Sequence, residues 1–115
     1  MLSGISLFSG WHFLRRALAG LALVAFSAWG AETVEVSIAE YRFTPAEVQL
    51  KSGDSVRWTN QEKRTSHSIV FPEEGGRESE RLFPGESWVR RFEQPGRYPY
   101  RCGPHPEMKG VILVD

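Results

Sequence analysis

Seven residues near the C-terminus, Cys102-Gly103-Pro104-His105-Pro106-Glu107-Met108, restrict the fold more than any other stretch of the chain. They read C-x-x-H-x-x-M. A thiol, an imidazole and a thioether this close in sequence are too crowded to be three unrelated core residues. Pro104 and Pro106 flank the histidine, stiffen the backbone and remove two N–H donors. A short stiff loop can aim three side chains at one point. A second imidazole stands far upstream, His67 in Thr65-Ser66-His67-Ser68-Ile69-Val70-Phe71. A fold that brings it to the loop would assemble His67, Cys102, His105 and Met108. Two imidazoles, a thiolate and a weak thioether are the ligand set of a blue-copper electron-transfer site.

The inventory of metal-binding side chains agrees. The chain has one Cys, three His and two Met. Met1 is the initiator and His12 lies in an N-terminal leader, so every other soft or imidazole side chain belongs to the set. Singly, each has a plainer reading: a lone Cys is a small hydrophobe and a lone Met fills a core. Four together at this spacing outweigh those readings. Zinc also accepts Cys and His, but the thioether and an exported setting favour copper.

Export is read from the N-terminus. Residues 1–14 contain no acidic side chain, and Arg15-Arg16 precede the apolar run Ala17 to Gly30. A basic region, a short apolar region and small residues at the end form a secretory signal peptide. Ala28-Trp29-Gly30 fits a small-x-small cleavage site, so residues 1–30 are expected to be removed and 31–115 to remain. The rival reading is an uncleaved membrane anchor, but the apolar run is short of the ~20 residues of a spanning helix; after cleavage no stable membrane insertion is expected. The leader holds two of the 14 basic residues and none of the 14 acidic ones, leaving 12 against 14, a net −2. No basic stripe appears, which argues against a nucleic-acid partner. One cysteine cannot form an internal disulfide, so in an exported chain it is a reactive leftover or a ligand.

The remainder is one small domain, near the size at which a single core is marginal. Its pattern predicts short strands separated by Gly and Pro turns, hence an all-β sandwich or barrel. Thr33–Ile38 and Ser55–Asn60 alternate apolar and polar side chains at period 2. Val48–Leu50, Ser87–Phe92, Tyr98–Cys102 and Lys109–Val114 also read as strands, although adjacent Arg90 and Arg91 blur one alternation. Ser66–Phe71 is β-rich and places His67 near a strand end. Pro72–Arg81 reads as a polar loop, with a short strand expected near Glu80–Phe83. Tyr98, Tyr100 and Cys102 are expected on one face. Pro99, with no N–H, must point away from the ladder or sit at a bulge.

On these residues the chain resembles the cupredoxins. The resemblance rests on the C-x-x-H-x-x-M loop with His67 upstream. Tyr41-x-Phe43-x-Pro45, Gly53-Asp54-x-Val56-x-Trp58-x-Asn60, Pro84-Gly85-Glu86-Ser87 and Pro95-Gly96-x-Tyr98-x-Tyr100-x-Cys102 extend it over the whole chain after the leader. The short loop is most similar to that of amicyanins; plastocyanin, pseudoazurin and azurin have longer or differently spaced loops. The resemblance implies a Greek-key β-sandwich holding one copper ion between the loops at one end. It also implies a small, monomeric, periplasmic electron shuttle whose partners are redox proteins such as a c-type cytochrome or a periplasmic dehydrogenase. Cupredoxins commonly carry Asn after the first histidine ligand, tying its strand to the cysteine loop; here Ser68 stands there. Glu107, Thr65 and Ser66 make the loop surroundings polar, which argues against methylamine dehydrogenase as the partner. The rival function is a copper chaperone or store, expected to use exposed Met- or His-rich tracts that residues 31–115 lack. Catalysis is not expected, because four protein ligands leave no open position.

Overall fold

The computed structural model describes residues 30–115. The expected leader lies, but for Gly30, outside the described residues. Nine strands build two mixed sheets: β1 Thr33–Ala39, β2 Arg42–Thr44, β3 Glu47–Leu50, β4 Ser55–Asn60, β5 Val70–Phe71, β6 Arg77–Glu78, β7 Ser87–Arg91, β8 Gly96–Arg101 and β9 Lys109–Val114. One sheet runs β2-β1-β4-β7 and the other β3-β9-β8-β5-β6. β1 with β4 and β3 with β9 are parallel pairs, and the other neighbours are antiparallel. The expected β-sandwich is therefore present.

Period-2 patterning sets which side of each strand faces the core. Val36 and Ile38 on β1, Val56 and Trp58 on β4, Tyr100 on β8 and Ile112 on β9 point inward and are almost fully buried. Trp58 is central, with ring centroids 5.3 Å from Trp88, 5.4 Å from Tyr100 and 6.3 Å from Phe71. Tyr100 lies across its partner Gly110, where any Cβ would collide with the ring. Its hydroxyl and Trp58 Nε1 are buried without a well-formed hydrogen bond. Burial pushes the Tyr100 phenol up to about 12, with the neighbouring indole N–H only partly opposing it.

The blurred alternation in β7 has a simple resolution. Trp88 and Arg90 face inward and Arg91 outward. The Arg90 guanidinium lies over Phe71 and Phe92, 4.4 Å from each ring centroid, and bonds both Glu74 oxygens at 2.7 and 2.9 Å. Glu74 closes the 3-10 turn Pro72–Glu74, so this ion pair joins the edge of one sheet to a connection of the other.

The polar connection differs from expectation. The strand is β6, at Arg77–Glu78, and of Glu80–Phe83 only Leu82 pairs, in a single bridge with His67. Ser79 explains the break. Its buried hydroxyl accepts from Ile69 N–H at 3.0 Å and donates to Glu80 O at 2.8 Å, replacing a ladder bond with a side-chain bond. Pro99 sits where its missing N–H does no harm. Val111, its cross-strand partner on β9, donates instead to Ala46 O at 2.8 Å, so the Pro99–Val111 pair is a non-hydrogen-bonded one. Pro99 N therefore faces the flank of β8 that β5 leaves unpaired, since β5 meets β8 only at Val70–Arg101.

Candidate metal centre

The parallel strands β1 and β4 end at the same pole of the sandwich, and this pole carries the site. Asn60, the last residue of β4, is fully buried and organises it. Its Nδ2 donates to Thr65 O at 2.8 Å and Leu82 O at 2.9 Å, and its Oδ1 accepts from Glu62 N–H at 2.9 Å. One amide thus shapes the 61–66 connection and fixes where His67 begins. His67 exchanges backbone hydrogen bonds with Leu82 and is itself fully buried.

The loop 102–108 closes the β8–β9 hairpin above the Arg101–Lys109 pair. Cys102 N–H donates to Met108 O at 3.0 Å and Met108 N–H to His105 O at 2.9 Å, so the loop is tied internally. Cys102 and Met108 are buried, while His105 is half-buried. Tyr98, Tyr100 and Cys102 do share the core-facing side.

Three of the four predicted side chains converge. Cys102 Sγ is 3.4 Å from His67 Nδ1 and 3.5 Å from His105 Nδ1, and the three donor atoms all lie within 4.8 Å of one another. Burial pushes the Cys102 thiol up, with the backbone N–H groups of Ser68 and His105 opposing. Burial holds the His67 imidazole below its usual value, against the Glu62 carboxylate. A neutral His67 therefore donates Nε2–H to Glu62 Oε2, 3.2 Å away, and leaves the Nδ1 lone pair facing the sulfur. Glu62 is itself held below the usual carboxylate range, chiefly by the Tyr41 N–H at 3.0 Å.

Three residues of this pole had no role in the sequence reading. Glu62 was not singled out, although it stands five residues before His67. Tyr41 had family resemblance alone, yet its ring is edge-on to both imidazoles, 4.8 Å from His105 and 5.7 Å from His67 between centroids. It occupies a left-handed turn with Glu40, at φ 56° and 51°, a conformation bulky residues rarely take. Glu78 lies against Ser68 across β5 and β6.

The donor set fits a metal ion. A thiophilic ion with bonds of ~2.3 Å to sulfur and ~2.0 Å to nitrogen sets those atoms about 3.4–3.8 Å apart at ordinary coordination angles, which matches the sulfur–nitrogen separations here. A two-sheet sandwich with one thiol, two imidazoles and a thioether gathered at one pole is the architecture of the small blue copper proteins. The chain belongs to the cupredoxin-like domain family, whose family model matches residues 11–114. It is 38% identical over 103 residues to amicyanin-alpha of Methylorubrum extorquens, covering 86% of each chain. It is 37% identical over 114 residues to the chloroplastic plastocyanin of Tetradesmus obliquus, covering 84% of this chain and 78% of that one. Among solved structures it is similar to the reduced Cu(I) form, at pH 4, of an amicyanin variant, with TM-score 0.68 and 28% identity over 72% of this chain and 82% of that one.

Proposed function

We propose that the chain is a type 1 copper electron carrier, with one copper ion held by His67 Nδ1, His105 Nδ1 and Cys102 Sγ and capped by Met108. The observation that carries this reading is the pair of short distances from one buried sulfur to two imidazole nitrogens. Copper bound to such a set alternates between +1 and +2 and so accepts or passes one electron.

The chain's own residues limit how far the site rearranges. Asn60 and Leu82 fix the His67 segment, Glu62 fixes its ring, and the internally bonded loop fixes Cys102 and Met108. A site that keeps its shape in both charge states exchanges electrons with little reorganisation. His105 is the ligand with an edge towards solvent, and with Tyr41 beside it forms the exit for the electron. Complete burial of Cys102 and His67 favours this reading over a copper chaperone, which hands an ion through accessible ligands. The partners we propose are a c-type cytochrome or a periplasmic dehydrogenase, met by a monomer in the periplasm after removal of residues 1–30. Among the described residues no helix is long and apolar enough to cross a membrane.

The test is copper titration of the protein followed by visible spectroscopy and voltammetry. The expected result is one copper per chain, an intense blue thiolate-to-copper band and a reversible one-electron wave. Stoichiometric uptake without colour would reject the assignment.

A further inference from the structure

Ser68 is fully buried between the two ligand-bearing segments. Its N–H points to Cys102 Sγ at 3.5 Å, and its Oγ accepts from Gly103 N–H at 3.1 Å. A serine hydroxyl is a rotor that can donate or accept in several directions, so alone it is a loose tie. Here its proton is committed. Oγ donates to Glu78 Oε2 at 2.7 Å, the length of a charge-assisted O–H···O⁻ bond. With the proton directed to Glu78, a lone pair faces Gly103 permanently. The carboxylate arrives through strand register: Glu78 pairs with Val70 on β5, and Ser79 is locked to Ile69 by bonds of 2.9 and 3.0 Å.

Gly103 supplies a second, independent observation. A Cβ built on it would collide with both the Glu78 carboxylate and the Ser68 hydroxyl. Its φ is not positive, so the glycine answers a need for space rather than for backbone freedom. The loop leaves room for a three-way contact among Glu78, Ser68 and the Gly103 amide.

The geometry points to Glu78 as a positioning residue of the metal centre. Through the Ser68 hydroxyl it clamps Gly103, and with it the adjoining Cys102 sulfur, against the His67 segment. Serine and glutamate together do here what one longer amide side chain after the first histidine would do alone. The link to copper rests on the function proposed above; the hydrogen-bond chain itself needs no metal.

The experiment measures hydrogen exchange of the Gly103 amide by NMR in metal-free protein expressed from the full-length sequence, with the visible spectrum of the copper-loaded form recorded in parallel. Glu78→Ala should speed Gly103 exchange by roughly ten- to a hundredfold, the weight of one hydrogen bond to a charged group, while amides of β1 and β4 stay unchanged. Glu78→Gln, whose amide oxygen can take the same proton, should retain most of the protection. In a Ser68→Asn background, where the longer side chain reaches Gly103 unaided, Glu78→Ala should have no effect. With copper bound, the thiolate band should move in Glu78→Ala and stay put in the Ser68→Asn pair. Unchanged Gly103 exchange in Glu78→Ala would overturn the proposal. So would equal acceleration throughout both sheets, or an undiminished effect in the Ser68→Asn background. Failure to bind copper with the exchange pattern intact would reject the carrier reading and leave the clamp standing.

Discussion

At the ligand pole, Asn60, His67, Ser68 and Cys102 are buried as neutral groups. Each spends its hydrogen bonds on backbone or on a carboxylate further out, and lone pairs on Nδ1 and Sγ are left facing one another. Towards the other pole, Arg90 is buried as a full charge. Its side chain is 10% exposed, its N–H groups meet both Glu74 oxygens, and its faces rest on Phe71 and Phe92. The difference teaches how one small sandwich separates stability from reactivity. Where the polar groups satisfy each other, the fold is fastened and nothing can bind. Where they satisfy only their outer atoms, the inner atoms remain free for an ion.

Four perturbations separate the poles, the largest first. Cys102→Ser should abolish the blue band completely while circular dichroism still reports a β-sandwich, because the hydroxyl is a far poorer copper ligand than the thiolate. Arg90→Met should do the reverse, costing about 2 kcal/mol in denaturant unfolding, below the usual cost of breaking a buried pair because Glu74 can hydrate, and leaving the spectrum unaltered. The same pole should show acid sensitivity. The Arg90 hydrogen bond holds the Glu74 carboxyl below its usual range. Its folded value is thus below its unfolded one, so its contribution is present above about pH 4.5 and is lost as pH falls through the folded value. Stability measured against pH should therefore fall less steeply in acid for Arg90→Met than for the parent.

Glu62→Ala should weaken copper binding by about 10–100-fold, as loss of a carboxylate behind a metal-bound histidine does, measured by competition with a chelator. An unchanged affinity would mean that the backbone of the His67 segment alone orients the ring. The smallest effect belongs to the β1–β2 turn. Glu40→Gly should raise unfolding stability by up to about 1 kcal/mol through relief of a left-handed residue, with no change in colour.

How far the sequence revealed this molecule depends on the range of each contact. The strands with clean alternation, β1 and β4, were legible to within a residue or so because period 2 is local, and β9 was legible as a short apolar run after the loop. The three converging side chains were legible because two of them share a loop with Met108 and few other residues of their kinds exist. Arg90 was opaque: an inward arginine breaks the pattern that marks an inward face, and only the distant Glu74 makes it tolerable. Glu78 was opaque because it reaches Ser68 through the register of two-residue strands, which carry almost no periodic signal. The missing strand near Glu80–Phe83 has the same origin, a single serine hydroxyl standing in for a ladder bond. Asn60 was visible as a motif residue, but its three bonds are fixed only when β4 ends beside Leu82.

Pro99 has a consequence for how these molecules meet in a crowded compartment. The flank of β8 below Arg101 borders an open groove lined by Phe71, Glu73, Glu74 and Tyr98 and lacks a continuous partner strand. Such a margin is a template on which a foreign strand can zip itself. A guest strand that tries the register finds a closed carbon ring where a hydrogen should be offered, and the zipper stalls at its middle tooth. Encounters along that margin end quickly, so an imino acid does there the guarding that a paired neighbour does elsewhere in the sheet.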